Sequence, residues 1–541
     1  MRLLLAAHVF EDPSISVVAL LLVLLSAVAG LVLVARKLAL PYPILLVIGG
    51  FGLSLVPGLP RLELDPALVF VLFLPPLLYP AALFTPWRDF QANLRTILLL
   101  AVGLVLGTML TTAWFAHRFV GMGWGSAFVL GAIVAPSDAV AALAIAHKLR
   151  VPRRLVIILE GESLVNDTAA FVAYRFAVAA VATGTFSLAG ASLKFVLVGL
   201  GGLGVGLASG WLVTAIQRRL DDPPVQTTIS LLTPFVCYLG AEAMGASGVL
   251  AVVVCGLYYG WRAPAFNSSR FRLRAYPVWE TVQFLLNGVI FILIGLELPA
   301  VITSLAGRSL AQVLWFATII LVPLILLRLG WLFAMTYLPR VVSGPLCKRQ
   351  TPHSWRHVLL MGWTGMRGVD SLAAALAVPL VTRTGAAFPD RDLIFFLTFA
   401  VIFGTLVLQG LSLEPVVRWL GVVDDKLWEA EERSARLTAN QAALARVHEY
   451  AGLRPVDQSA VQRLAAEYED RILQLQNNRA DEATDHALFS QDFERVTLEA
   501  LQAERRTILG LRDRRVINDA TLRRIQRDID LAESRFKREG A

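Results

Sequence analysis

The sequence predicts an all-α polytopic membrane protein: about thirteen transmembrane helices in two inverted six-helix repeats with crossed, interrupted fifth and twelfth helices, then a helical cytoplasmic tail. Three observations carry that prediction. Of 541 residues, 56% are hydrophobic and only 17% charged, against roughly 45–50% and 25% in soluble domains, and mean hydropathy is +0.63. The apolar residues fall into blocks long enough for bilayer spans of roughly 20 residues. The basic residues between the blocks alternate from rich to poor along the chain.

In order, the blocks are 15–35, 41–56, 67–84, 94–115, 124–146, 155–181 and 188–216, then 227–244, 248–261, 278–298, 310–338, 357–380 and 393–420. One set of connections holds Arg36 and Lys37, Arg88 and Arg95, the run 148–154, Arg218 and Arg219, the run 262–274, and the run 340–356. That side carries about eighteen basic residues and the other about six, which places it in the cytoplasm. The N-terminus is then outside and the tail inside. A miscounted span would have spoiled the alternation in the later connections. A net charge of +8, which in a soluble chain would point to nucleic acid, follows here from the positive-inside bias. The first block, without a basic region before it or a small-residue cleavage site after it, is expected to remain as a helix.

Thirteen spans divide into six, a linker and six. An odd linker inverts the second half, as in many secondary transporters. The corresponding fifth and twelfth blocks are both interrupted: Val134-Ala135-Pro136-Ser137-Asp138 in one, Gly362-Trp363-Thr364-Gly365-Met366-Arg367-Gly368 in the other. Proline removes a backbone donor and disfavours helix just before it. Broken backbone at membrane depth persists only where protein or a water-filled cavity satisfies it, and matched interruptions point to a substrate site.

The sixth block carries Glu160, Glu162 and Asp167. A charge at the centre of a span costs about 2.5–3.5 kcal/mol on insertion scales, so such acids mark places that water, a counter-charge or a cation reaches. Ser163, Asn166, Asp167 and Ala170 share one helix face. Asp167 lies 13 residues beyond Arg154, roughly 20 Å at 1.5 Å per residue, and Asp138 and Arg367 reach comparable depth. Oxygen ligands beside a titratable acid can hold a hard monovalent cation or a proton in turn: an ion-exchange site.

Beyond residue 424 the composition turns to Glu, Arg, Gln and Ala, so residues 1–423 are read as the membrane domain and 424–541 as the tail. In the tail Leu501, Ile508 and Leu511, then Leu522, Ile525 and Ile529, recur at helical spacing. Three widely spaced cysteines, Cys237, Cys255 and Cys347, match no metal or disulfide pattern and are read as packing residues. No His-Glu-x-x-His string or deep Ser–His pairing supports an enzyme, and nothing calls for a cofactor or nucleic acid.

The strings Pro136-Ser137-Asp138-Ala139-Val140-Ala141-Ala142, Glu160-Gly161-Glu162-Ser163-Leu164-Val165-Asn166-Asp167 and Gly365-Met366-Arg367-Gly368 occur in that order. Together they resemble the bacterial sodium/proton exchangers of the monovalent cation:proton antiporter-1 family over roughly the first 420 residues. The tail from Leu522 to Leu531 is similar to that of bacterial members. The resemblance implies a homodimer in the bacterial inner (plasma) membrane, exchanging Na⁺ for H⁺ by elevator-like movement of a core against dimerisation helices. Asp167 would alternately hold cation and proton, with Asp138, Ser163 and Ser137 as further Na⁺ ligands. Asn166, standing where electrogenic relatives carry a second acid, implies electroneutral exchange. Glu162 would pair with Arg367 or Arg328. Family members usually have an apolar residue where this chain has Asp370, three residues after Arg367. Asp370 is therefore left between a helix-local salt bridge to Arg367 and a local modulator.

Other readings stand beside these. Asp167 could instead pair with Arg175, two turns on, and Asp138 could be a helix-end cap. Glu160 reads as a mouth or structural carboxylate, and Arg328 and Arg367 as compensators of the buried acids. A cation channel would share the polar residues without coupling flows, and a K⁺- or Li⁺-preferring antiporter would share the whole constellation.

Overall fold

Every apolar block forms helix, broken at 134–138 in the fifth and at 364–368 in the twelfth, in the computed structural model, which describes residues 13–38, 42–56, 66–138, 151–183, 188–304, 309–342, 354–382, 385–422, 427–453, 458–476 and part of 500–531. Residues 139–150, the second half of the fifth block, lie outside them, as do Cys347, Leu511 and Leu522. Among the described residues the only β pairing is an isolated bridge between Val381 and Ala387. Contacts divide the chain into Met1–Asp424 and Asp425–Ala541.

The first unit opens with α1 (Pro13–Leu38), α2 (Tyr42–Ser54), α3 (Pro66–Phe84) and α4 (Trp87–Phe115), the last prolonged by a π-turn at Ala116–Val120. Next come α5 (Trp124–Ile133), α6 (Arg153–Thr183), α7 (Leu188–Gln217), α8 (Pro223–Ala243), α9 (Gly248–Arg262) and α10 (Ser269–Ser304). It closes with α11 (Leu310–Val342), α12 (Trp355–Trp363), α13 (Val369–Leu376), α14 (Arg391–Thr405), a second π-turn at Leu406–Gly410, and α15 (Leu411–Leu420). Five stretches among the described residues are long and apolar enough to cross a membrane: Trp87–Val120, Val196–Gln217, Arg270–Pro299, Ala311–Tyr337 and Arg391–Leu420. Leu200, Trp211, Val236 and Leu326 stand exposed on the flanks, as side chains facing lipid do.

Two boundaries differ from expectation. The fourth and tenth helices begin at Trp87 and Ser269 rather than near 94 and 278. Arg88, Arg95, Arg270, Arg272 and Arg274, expected in connections, therefore sit on helical turns. Apolarity marks where a helix enters hydrocarbon, whereas hydrogen bonding continues into polar surroundings. In α3, Pro75, Pro76 and Pro80 lie inside the helix, a composition that neighbouring membrane helices tolerate by re-satisfying the freed carbonyls.

Packing sorts these helices into two sets. In one, α4, α5, α6 and α11 pack on one another, and α12 to α15 close around them. In the other, α2 packs on α10, α9 on α7 and α3, and α8 and α1 complete the group. The tightest approach in the second set is the crossing of α2 and α10. A Cβ at Gly295 would lie 2.1 Å from the Val47 carbonyl oxygen, and one at Gly50 2.2 Å from that of Ile292. Small residues let membrane helices approach this closely. Gly295→Val should therefore lower thermal stability by at least the 1–3 kcal/mol typical of overpacking, read as a lower midpoint in detergent. Gly52→Ala, with open space around it, should leave the midpoint unchanged.

In the second unit, α16 (Leu427–Leu453) and α17 (Gln458–Gln476) pack against each other. Exposed pairs such as Arg446–Glu449 at 2.6 Å lie one turn apart. Further on, Ile508 and Ile529 are buried together with Leu501 and Ile525 beside them, so part of the helical spacing read from the tail is spent on a small local core.

Candidate functional site

The two interruptions meet. Helix α5 ends at Ile133, and residues 134–138 run on without helix; α12 ends at Trp363, and residues 364–368 separate it from α13. Each break satisfies the other. The Asp138 amide donates to the Met366 carbonyl at 2.9 Å, and Arg367 Nε donates to the Val134 carbonyl at 2.6 Å. Arg367 is fully buried, its Nη1 donates to the Gly365 carbonyl at 2.7 Å, and its amide donates to Thr405 Oγ1 at 3.0 Å. Its charge thus lies at the C-terminal end of α5, where helix carbonyls favour a cation.

The glycines flanking Met366 and Arg367 are required by space. A Cβ at Gly365 would fall 2.1 Å from Arg328 Cδ, and one at Gly368 would fall 1.8 Å from Asp138 Oδ2. The second figure places the Asp138 carboxylate directly against the backbone that starts α13. Gly368→Ala should displace that carboxylate, cutting transport while leaving the fold intact, which flux and thermal-unfolding measurements on the same preparation would separate.

Helix α6 supplies the facing wall. Ser163 Oγ donates to the Ser137 carbonyl at 2.9 Å, and Asn166 Nδ2 donates to Ser137 Oγ at 2.9 Å. Ser137 therefore stitches the unwound strand of the fifth block to α6. Asn166 and Asp167 are buried, and one oxygen of each, Oδ1 in both, has no hydrogen-bond donor among the described residues. Buried acceptors are paired in the great majority of cases, so two adjacent orphaned oxygens at the meeting of two helix breaks call for an external partner. Asp370, Asp138 and Glu162 are the acids whose charges bear on Asp167.

Glu162 is committed elsewhere. Its carboxylate takes Arg328 Nη1 at 2.6 Å and Nη2 at 3.1 Å, both residues being buried. Of the two arginines expected as its partner, Arg328 on α11 takes the role, and Arg367 is turned onto backbone carbonyls. The expected local bridge from Arg367 to Asp370 is absent as well. That expectation assumed helical spacing, and Arg367 lies in the break, where no helix turn brings residues three apart onto one face. Arg175, the alternative partner for Asp167, pairs with Glu242 on α8. Glu160 is half-buried on α6.

Sequence reasoning missed several parts of the site. Thr405 gave no signal, because a threonine in an apolar helix is ordinary. Tyr42 on α2, whose hydroxyl lies within electrostatic reach of Asp138, is separated from it by nearly a hundred residues. Backbone carbonyls as partners of Arg367 could not have been found in residue types at all. Among the described residues no three His, Cys, Asp or Glu side chains gather as a metal centre would require.

A helical multi-pass membrane protein with buried acids where two broken helices interlock has the architecture of a secondary ion transporter. Comparison with known proteins gives the family. The family described as "Sodium/hydrogen exchanger, transmembrane" matches residues 21–419. The exchanger Rv2287 of Mycobacterium tuberculosis is 37% identical over 97% of both chains. YjcE of Escherichia coli K12, also a Na⁺/H⁺ exchanger by name, is 33% identical over 95% of this chain and 97% of its own. The sodium, potassium, lithium and rubidium/H⁺ antiporter of Bacillus subtilis is 31% identical over 93% of this chain and 76% of its own. The solved sodium/proton antiporter MjNhaP1 of Methanocaldococcus jannaschii superposes with a TM-score of 0.57 at 19% identity, over 74% of this chain and 98% of that one, a likeness of fold. The chain belongs to the sodium/hydrogen exchanger family and is a multi-pass membrane antiporter of cations and protons.

Proposed function

We propose that the protein exchanges Na⁺ for H⁺, one for one, through a single site at Asp167 in the bacterial inner membrane. The observation that carries this reading is the pair of orphaned buried oxygens on Asn166 and Asp167. In this account Asp167 holds cation or proton in turn, and Asp138, Ser163, Ser137 and Asn166 supply oxygens to the cation. Burial disfavours a bare carboxylate, and either passenger relieves it. Loaded with Na⁺ or H⁺ the site is less charged and can move; empty, it resists moving. That resistance enforces exchange over leak. Asn166 is neutral, so one positive charge compensates one acid in each direction, as electroneutral exchange requires.

The movement we assign to the packing set of α4–α6 and α11–α15, which carries Ser163, Asn166, Asp167 and both helix breaks, sliding as a core against the set of α1–α3 and α7–α10, through which a homodimer forms. Asp167 thereby opens to each side in turn. The N-terminus lies outside, and residues 424–541 form a cytoplasmic tail. Arg175 on α6 and Glu242 on α8 bridge the two sets, and Glu242 Oε1 also accepts the Gly248 amide at 3.0 Å. Both side chains lie far along their helices from the basic cytoplasmic ends, so the pair acts as a latch on the outer side. Glu242→Gln should shift the population toward outward-facing protein and raise labelling of cysteines introduced on the outer half of α6, with folding unchanged. Unchanged labelling would remove the latch from the mechanism.

A second reading keeps the same site with K⁺ or Li⁺ as a passenger, since the Bacillus subtilis relative is named for sodium, potassium, lithium and rubidium. Flux across a cation series in proteoliposomes tests both. Na⁺-dependent dissipation of a pH gradient supports the first, a rate ordered toward K⁺ supports the second, and no response to any monovalent cation rejects both.

A further inference from the structure

Between Thr364 and Val378 every residue is buried except Asp370. It stands in the first turn of α13, two residues beyond the glycine whose backbone touches the Asp138 carboxylate. Its charge bears on both Asp138 and Asp167. No ion pair joins it to an arginine, lysine or histidine among the described residues: Arg328 is held by Glu162 and Arg367 by two carbonyls.

We propose that Asp370 is a further ion-handling residue of the exchange, the water-facing acid that draws the cation to Asp167 and sets its affinity. The argument is one of charge and access. An acid at membrane depth persists where water or a counter-charge reaches it, and Asp370 is the one position between Thr364 and Val378 that is not fully buried. Asp370 adds a negative charge within electrostatic reach of both Asp138 and Asp167. Such a charge raises the local concentration of cations in a low-dielectric cleft and strengthens their hold through Coulomb attraction. Asp370 does not replace Asp167: it is half-buried, whereas the orphaned, fully buried oxygens belong to Asn166 and Asp167. The inference rests on the reading of Asp167 as the exchanging acid.

The test is the Na⁺ dependence of exchange in proteoliposomes of the full chain, measured for the wild type, Asp370→Asn and Asp370→Glu. Asp370→Asn should raise KM for Na⁺ about tenfold with the maximal rate within about twofold of wild type, an effect on the scale of one partly screened charge. Asp370→Glu should bring KM back near the wild-type value. An unchanged KM in Asp370→Asn overturns the proposal, and so does a fall in maximal rate at unchanged KM, which marks a merely structural role. If Asp370→Asn does not fold, Asp370→Val reads the same quantity, and failure of both to fold makes the residue structural and overturns the proposal. Asp167→Asn, measured alongside, separates the two levels. If it is inactive while Asp370→Asn matches wild type, only this inference fails; if it is active, the underlying site fails.

Discussion

Asp167→Asn is expected to abolish cation-driven proton movement, down to the rate of empty vesicles. The amide keeps the size and hydrogen-bonding reach of the carboxylate, so the local packing of α6 against residues 134–138 should survive. What is lost is the charge that both passengers compete for. An amide neither titrates in the working range nor offers a full negative charge to a cation, so neither half of the cycle can load. The variant should purify as a folded protein with a thermal midpoint at or above that of the wild type, because an uncompensated buried acid has been removed. Wild-type exchange by this variant would refute the assignment outright.

The second large effect belongs to stability rather than transport. Glu162→Gln leaves Arg328 buried, charged and without its bidentate partner, and breaking a buried pair by removing one member costs about 3–5 kcal/mol. The neutral amide can accept only part of what the carboxylate accepts from Nη1 and Nη2, and Arg328 Nε already lacks a partner. A markedly lower thermal midpoint and a poor yield of monodisperse protein should follow. The double variant Glu162→Gln/Arg328→Met should recover a good part of the loss, since removing both charges together spares the membrane interior an unpaired ion. A double variant as unstable as the single would show that the two side chains act independently.

Much of this fold was legible in the sequence because the bilayer imposes a strong one-dimensional signal. Apolar blocks fix where helices run, and Pro136 and the glycines between 362 and 368 mark the breaks. The strings around Asp138, Asp167 and Arg367 likewise brought forward residues that the fold gathers in one place. What the sequence withheld was pairing. Glu162 is 166 positions from Arg328, and Arg367, the other partner expected for it, spends its side-chain hydrogen bonds on carbonyls of its own and the opposing break. A residue in a broken helix loses the spacing rules that hold on either side of it, which is why the expected bridge to Asp370 did not form. The roles of Gly365 and Gly368 were hidden for a similar reason. A glycine's neighbours in space, here Arg328 and Asp138, are set by the tertiary crossing and leave no mark on nearby sequence.

The central claim is that cation and proton compete for one carboxyl group, and the most direct test is the pH dependence of Na⁺ kinetics in proteoliposomes, with the membrane potential clamped at zero. As protons are added on the Na⁺ side, the apparent KM for Na⁺ should climb in proportion to proton concentration while the maximal rate stays constant, as competition at a single site demands. A maximal rate that falls while KM holds still would mean that Na⁺ and H⁺ occupy separate groups, and would contradict the account.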